Sequence, residues 1–170
     1  QYFRYMGDLI RGDLGRSTSS GREVASELKA RAPASIELIL SAVLFSLIGS
    51  GVLSLASLKR PGKAIDRISD GIIFTGTALP PFLIGVLLLF LFYTLVHIAP
   101  PPLGRIAADI DFSRLTGLLV LDGLVKGRLD VLISALSHLL LPTIAIGFSL
   151  FPQLLRVIKE TGRRAIENPA

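Results

Sequence analysis

The chain has 170 residues, 51% of them hydrophobic and only 18% charged, with no cysteine and a formal net charge of +5. That balance is too apolar for a soluble domain of this size, and the absent thiols exclude a disulfide framework and any thiolate metal site. The excess of Lys and Arg flanks apolar runs instead of forming a stripe interleaved with aromatics, which argues against a nucleic-acid partner and for charge at a lipid interface.

Residues 1–35 are polar and mixed in charge, without the basic tip and apolar run of a signal peptide. Val24, Leu28 and Arg31 are spaced for a short amphipathic helix on a membrane surface, and Pro33 is expected to end it. The first apolar run, 36–58, supplies 23 residues whose only ionisable group, Glu37, stands at its very start. A helix crosses about 30 Å of hydrocarbon with roughly 20 such residues, so 36–58 reads as a transmembrane helix. Ala42, Ser46, Ser50 and Ser54 recur every fourth residue along it, joined by Gly49 and Gly51, and a row of small residues lets helix backbones approach closely in lipid.

The 59–71 loop is crowded with Lys59, Arg60, Lys63 and Arg67. A second span is expected over 72–98, with His97 at its end and Pro80-Pro81 inside. A third is expected over 131–158, with Pro142 and Pro152 inside. Each proline removes a backbone donor and should bend or break its helix, and carbonyls freed in a bilayer must be buried in protein or face water. Between the last two spans, 99–130 opens on Pro100-Pro101-Pro102, is interrupted by glycines, and contains the short apolar run 115–125, which should lie at the interface or tuck into the bundle.

Lys and Arg count sets the orientation, because cytoplasmic flanks are enriched in them. Six lie in 1–35 and four in 99–130, the latter offset by Asp109, Asp111, Asp122 and Asp130, whereas the short 59–71 loop holds four and the final stretch holds Arg156, Lys159, Arg163 and Arg164. The expected topology places 1–35 and 99–130 outside, and 59–71 and the tail 159–170 in the cytoplasm.

Chemistry is sparse. No Gly-x4-Gly-Lys-Ser/Thr occurs, so no nucleotide triphosphate is expected to be cradled here. His97 and His138 stand apart with no His-Glu-x-x-His pattern, and Ser137 and His138, adjacent on a helix, point to different faces. No catalytic residue, metal site or cofactor is expected, and the chain does not read as an enzyme.

Several segments together resemble one family. Gln1-Tyr2-x-x-Tyr5-Met6, Gly12-Asp13-Leu14-Gly15-Arg16-Ser17 and Arg31-Ala32-Pro33-Ala34-Ser35-Ile36-Glu37-Leu38 are followed by Asp66, Ala78-Leu79-Pro80-Pro81-Phe82 and Pro101-Pro102-x-Gly104-Arg105. Thr116-Gly117 with Asp122, and Ser137-His138-Leu139-x-Leu141-Pro142, complete the set. In this order they resemble the permeases of dipeptide and oligopeptide ABC importers. The chain departs from the family at Leu79, where Ser is frequent, and in having a second proline and Leu83 rather than Trp after Phe82.

The resemblance implies an all-α integral membrane fold, namely three transmembrane helices of a six-helix type I ABC importer permease, with kinked helices and external loops. It implies a multi-pass subunit of the bacterial or archaeal plasma (inner) membrane that moves peptides by alternating access. The implied partners are a second permease subunit, two ATP-binding subunits, an extracytoplasmic substrate-binding protein and the lipid bilayer. Pro80, Pro81, Phe82, His138 and Pro142 would line the substrate pathway or bend its helices, and Gly12, Asp13, Gly15, Gly104, Arg105 and Asp122 would face the binding protein. Arg156, Arg163 and Arg164 would approach the ATPase, with a coupling helix expected beyond Ala170 in a longer protein. The alternative is a fragment of an ion-coupled secondary transporter, whose kinks would surround an ion site.

Overall fold

A computed structural model describes residues 6–7 and 9–167; the Gln1, Tyr2 and Tyr5 positions of the opening motif and residues 168–170 of the tail lie outside the described residues. The described chain is helical, with one isolated antiparallel bridge between Arg16 and Glu23. Helix α1, Val24–Lys59, runs 36 residues, about 54 Å at 1.5 Å per residue, so it extends well past the hydrocarbon it can cross. Pro33 does not end a separate surface helix but lies inside α1. The loss is confined to the one bond that its missing N–H would have made to Lys29. Ala30, Ala32 and Ala34 favour helix around it, and the proline ring packs where Gly117 leaves room: a Cβ there would lie 3.0 Å from Pro33 Cβ and Cγ.

The run 72–98, expected as one helix, differs most. Helix α2, Ala64–Ala78, begins inside the stretch expected as loop, and helix α3, Pro81–Leu89, continues as a π-helical turn over Phe90–Leu95. The second arm is bent from the first by 109°. Pro80 disfavours the helical conformation for the residue before it, and Pro81 removes a second consecutive donor; Leu79 is extended at φ −96°, ψ 131°, Pro80 is the N-cap of α3 and Pro81 its first residue. Gly76 and Thr77 therefore lose their acceptor bonds, since the residues four positions on are both prolines.

Helix α4, Leu119–Val125, is short, and helix α5, Leu129–Glu167, runs 39 residues. Neither Pro142 nor Pro152 breaks α5, which stays continuous through both. Pro152 is fully buried against α2, where a Cβ on Gly76 would lie 2.1 Å from its Cγ.

Helix α5 is the hub and touches every other named helix. Against α1 the contact is made by the small-residue row: Ala42, Ser46, Ser50 and Ser54 are all buried. Ser46 Oγ donates to Gly147 O at 2.8 Å and Ser54 Oγ to Leu155 O at 3.3 Å. Phe151 fills the space that Gly49 leaves, and Phe45 the space that Gly147 leaves, each 2.6 Å from where a Cβ would be. Gly51 meets no neighbour. Both hydrogen bonds join residues 101 apart, so α1 and α5 run parallel. The chain between them must therefore return over the same length, which α2 and α3 do along α5: Asp66 and Gly76 lie by Lys159 and Pro152, Gly85 by Ala145, and Phe92 shares a cavity with Ser137 and Leu141.

The outer face is apolar. Ile36, Leu40, Leu44, Ile48, Val52 and Leu55 of α1 and Ile133, Leu136, Leu140 and Leu150 of α5 are exposed. Among the described residues two helices are long and apolar enough to cross a membrane, three if the bent pair is one span. This is an all-α integral membrane protein.

Candidate functional site

Polar chemistry gathers at the two ends of the parallel α1/α5 pair. At the end where both helices begin, Glu37 is only 7% exposed, and a carboxylate so placed must be hydrogen bonded. Its Oε1 accepts from Val120 N at 2.7 Å and its Oε2 from Arg105 Nη2. Arg105 Nη1 in turn donates to Gly117 O at 3.0 Å. One side chain of α1 thereby holds the long loop and the first turn of α4.

The loop's own shape is set by Asp122, which is completely buried. Its carboxylate accepts from the backbone N–H groups of Leu115, Thr116 and Gly117 at 3.0–3.1 Å and from Thr116 Oγ1 at 2.6 Å. Burial pushes this carboxyl up, but the donors from Thr116, Leu115 and Gly117 outweigh it and hold it below the usual value. Asp122, expected among the residues that face a binding protein, has its carboxylate turned inward, where four donors in the 115–117 turn outbid solvent for it.

Beneath this network is a cavity of about 220 Å³ lined by Ala34, Leu38, Arg105, Ala135, His138 and Pro142, among others. His138 Nδ1 lies 2.8 Å from Ser134 O, an acceptor only, so the ring's Nδ1–H donates. A neighbouring cavity of about 160 Å³, walled by Pro100, Pro101, Pro102 and Leu89, shares Gly104, His138 and Pro142.

At the opposite end, Lys159 is 3% exposed. Its Nζ lies 2.6 Å from Asp66 Oδ1 and 2.5 Å from Asp70 Oδ1. Asp66 also accepts from Ser57 Oγ at 2.5 Å, Gly62 N at 2.9 Å and Arg163 Nη2 at 3.1 Å. The cluster joins α1, the α1–α2 turn, α2 and α5 through one carboxylate, with no loop residue beyond Gly62.

The residues singled out from sequence separate accordingly. His138 and Pro142 share the first cavity with Arg105, whereas Pro80, Pro81 and Phe82 line neither cavity and stand exposed at the α2–α3 break, Phe82 at 73%. Gly12, Asp13, Gly15 and Gly104 are exposed, and Arg105 is drawn inward by Glu37. Arg163 belongs to the Asp66 cluster, Arg156 pairs with Glu160 at 3.0 Å on the surface, and Arg164 is exposed. Sequence reasoning missed Glu37 and Lys159 as organising residues. For Lys159 a signal existed: Asp66 and Asp70 are one turn apart on α2, matched by Lys159 and Arg163 one turn apart on α5.

Residues 48–169 match the family described as binding-protein-dependent transport system inner membrane component. The chain is 35% identical over 149 residues to the probable D,D-dipeptide transport system permease protein DdpB of Escherichia coli, covering 87% of this chain and 44% of that protein. It is 32% identical over 151 residues to the dipeptide transport system permease protein DppB of Escherichia coli, covering 86% and 44%. The putrescine export system permease protein SapB of Escherichia coli is 30% identical over 159 residues, covering 91% and 49%. The chain spans a little under half the length of these curated relatives.

Proposed function

The chain belongs to the family of binding-protein-dependent transport system inner membrane components, and from that premise we propose that it is the α1–α5 portion of a permease subunit that imports peptides. Several relatives carry dipeptide transport in their names, which makes short peptides the proposed cargo. The proposed assembly has a second permease, two ATP-binding subunits and an extracytoplasmic binding protein. The Glu37 end faces outward and the Lys159 end inward, following the density of Lys and Arg.

The observation that carries a pathway is the α2–α3 break. The Gly76 and Thr77 carbonyls have no N–H four residues on, and an unsatisfied carbonyl in hydrocarbon costs several kcal/mol, so this break must meet a partner or water. Pro80, Pro81 and Phe82 accordingly border the route, with His138 and Pro142 nearer its outer mouth. The Asp66–Lys159 cluster makes the inner ends of α1, α2 and α5 one rigid block leading toward the ATPase through Arg163 and Arg164. The outer loop, held by Glu37 and Arg105, is the part that rearranges when the binding protein docks on Gly12, Asp13, Gly15 and Gly104.

The ion-coupled alternative needs a buried carboxylate free to take a cation. Glu37 and Asp66, the buried carboxylates of α1 and α2, are each engaged by protein donors, and the family membership favours the importer. The test is uptake of a radiolabelled dipeptide by proteoliposomes holding the full-length permease with its partner subunits. Uptake should require ATP inside and survive an ionophore. Uptake that ignores ATP and collapses with the ion gradient would transfer the assignment to a secondary transporter.

A further inference from the structure

The cations at the Lys159 end fall into two groups. Three of those on α5 are paired: Lys159 with Asp66 and Asp70, Arg163 with Asp66, Arg156 with Glu160. Those of the α1–α2 turn are not. Among the described residues Lys59, Arg60 and Lys63 make no ion pair and no side-chain hydrogen bond, and all three are exposed. The nearest carboxylate in sequence, Asp66, is buried and turned toward Ser57, Gly62 and Lys159.

These three cations surround one cavity of about 510 Å³, whose remaining walls are Ala56, Ala64 and Ile65. It opens where α1 ends, and just beyond its apolar wall Val52, Leu55 and Ile68 are exposed along α1 and α2. A site with several positive charges at its rim, small apolar residues inside and a greasy flank below fits an anion tethered to hydrocarbon. Three unpaired like charges held around one volume repel each other, and that repulsion is relieved by a bound anion. A free water-soluble anion would have no use for the apolar flank, whereas two acyl chains would lie along it.

We infer that the α1–α2 turn is a binding site for an anionic phospholipid, its phosphodiester held by Lys59, Arg60 and Lys63 and its acyl chains running down Val52, Leu55 and Ile68. Basic pockets at the cytoplasmic ends of transmembrane helices suit such headgroups. The inference rests on the proposed orientation, which puts this turn at the inner leaflet, but not on the nature of the cargo. A bound lipid here would wedge the junction of α1 and α2 next to the Asp66 cluster and so steady the block that leads to the ATPase.

The test uses the full-length permease in its assembled transporter, in nanodiscs of phosphatidylcholine doped with phosphatidylglycerol, with retained lipid read by native mass spectrometry. Wild type should retain phosphatidylglycerol in preference to phosphatidylcholine. The triple variant K59Q/R60Q/K63Q should bind it on the order of 100-fold more weakly, as removal of three interfacial charges implies. K29Q/R31Q, at the other end, should bind as wild type does. Because the three side chains are exposed and unpaired, the triple variant should keep the wild-type thermal midpoint in nanodiscs of phosphatidylcholine alone, where no anionic lipid stabilises either protein. Equal retention by wild type and the triple variant overturns the site. So does displacement of the lipid by inorganic phosphate, which would mark a free-anion site, and so does loss of the ATP-binding subunit with lipid retained, which would mark an acidic protein surface. Lipid selectivity lost while ATP-driven dipeptide uptake persists defeats this inference alone; lipid retained without any uptake defeats the proposed function alone.

Discussion

The two ends of the α1/α5 pair hold themselves together by different means. At the Lys159 end every charged member of the cluster sits on a helix, and the spacing of one turn on α2 meets the same spacing on α5. At the Glu37 end a single helical carboxylate holds a loop through Arg105 and two backbone groups, Val120 N and Gly117 O, while Asp122 holds the loop's turn from within. Helix-borne pairs are fixed by packing that exists without them. Loop-borne pairs supply the order themselves, so breaking them should loosen the loop and leave the helices intact.

The largest effect is expected at Lys159. Lys159→Met leaves Asp66 buried with only Arg163 to oppose it, and removal of one partner of a buried pair costs about 3–5 kcal/mol. The assembled transporter should lose much of its thermal stability, with Lys159→Arg milder. A midpoint unchanged in Lys159→Met would mean that the helices hold this end by packing alone.

Next comes Gly76→Ala, which tests the packing half of the comparison. Its Cβ would stand 2.1 Å from Pro152 Cγ, within a ring that is already fully buried, and overpacking of this kind costs about 1–3 kcal/mol. Disulfide crosslinking between cysteines on α2 and α5 should slow. A normal rate would show that the helices separate without penalty.

Much of the helix packing was legible in the sequence because its signal is local. The runs 36–58 and 131–158 fall within α1 and α5, and the four-residue repeat of Ala42, Ser46, Ser50 and Ser54 marks the face that meets α5. The bend was half visible: Pro80-Pro81 announces an interruption, but no apolar run encodes an angle, so the bend of 109° had no counterpart in the pattern. The polar ends were hidden because their partners are remote. Glu37 and Arg105 are 68 residues apart, and Asp66 and Arg163 97. The burial of Asp122 was hidden for another reason: an Asp beside glycines in a loop resembles a surface residue, and only the folded 115–117 turn supplies the donors that draw it in.

A smaller effect is expected from Glu37→Gln. The Val120 N–H keeps an acceptor but Arg105 loses its ion partner, a cost of roughly 2 kcal/mol for a hydrogen bond to a charged group. A cysteine at Ala108 should react faster with an impermeant thiol reagent, while one at Thr161 should be unaffected. Equal acceleration at both would erase the distinction between the ends.

Similar at neutral pH is Asp122→Asn, roughly 2 kcal/mol for a buried charged acceptor replaced by an amide that must set its own N–H groups against backbone donors. Its pH dependence is more telling. The folded carboxyl lies below its usual value, and such a group contributes stability above its unfolded value and loses it as pH falls through the folded one. Protection of 115–117 against hydrogen exchange, corrected for intrinsic rates, should therefore be flat from neutral pH down to about 4 and decline below. Asp122→Asn should lack that acid step. A step retained in the variant would assign it to another group.

The central claim, a fixed inner block and an adjustable outer loop, is tested most directly by spin-label distances in the full-length, assembled transporter, made simpler by the lack of native cysteine in this chain. One pair is placed at Arg67 and Thr161, exposed on α2 and α5, the other at Ser26 and Ala108, exposed on α1 and the loop. Between the nucleotide-free and ATP-bound states the first distance should stay constant and the second should shift or broaden. A first distance that changes while the second stays fixed would contradict the account.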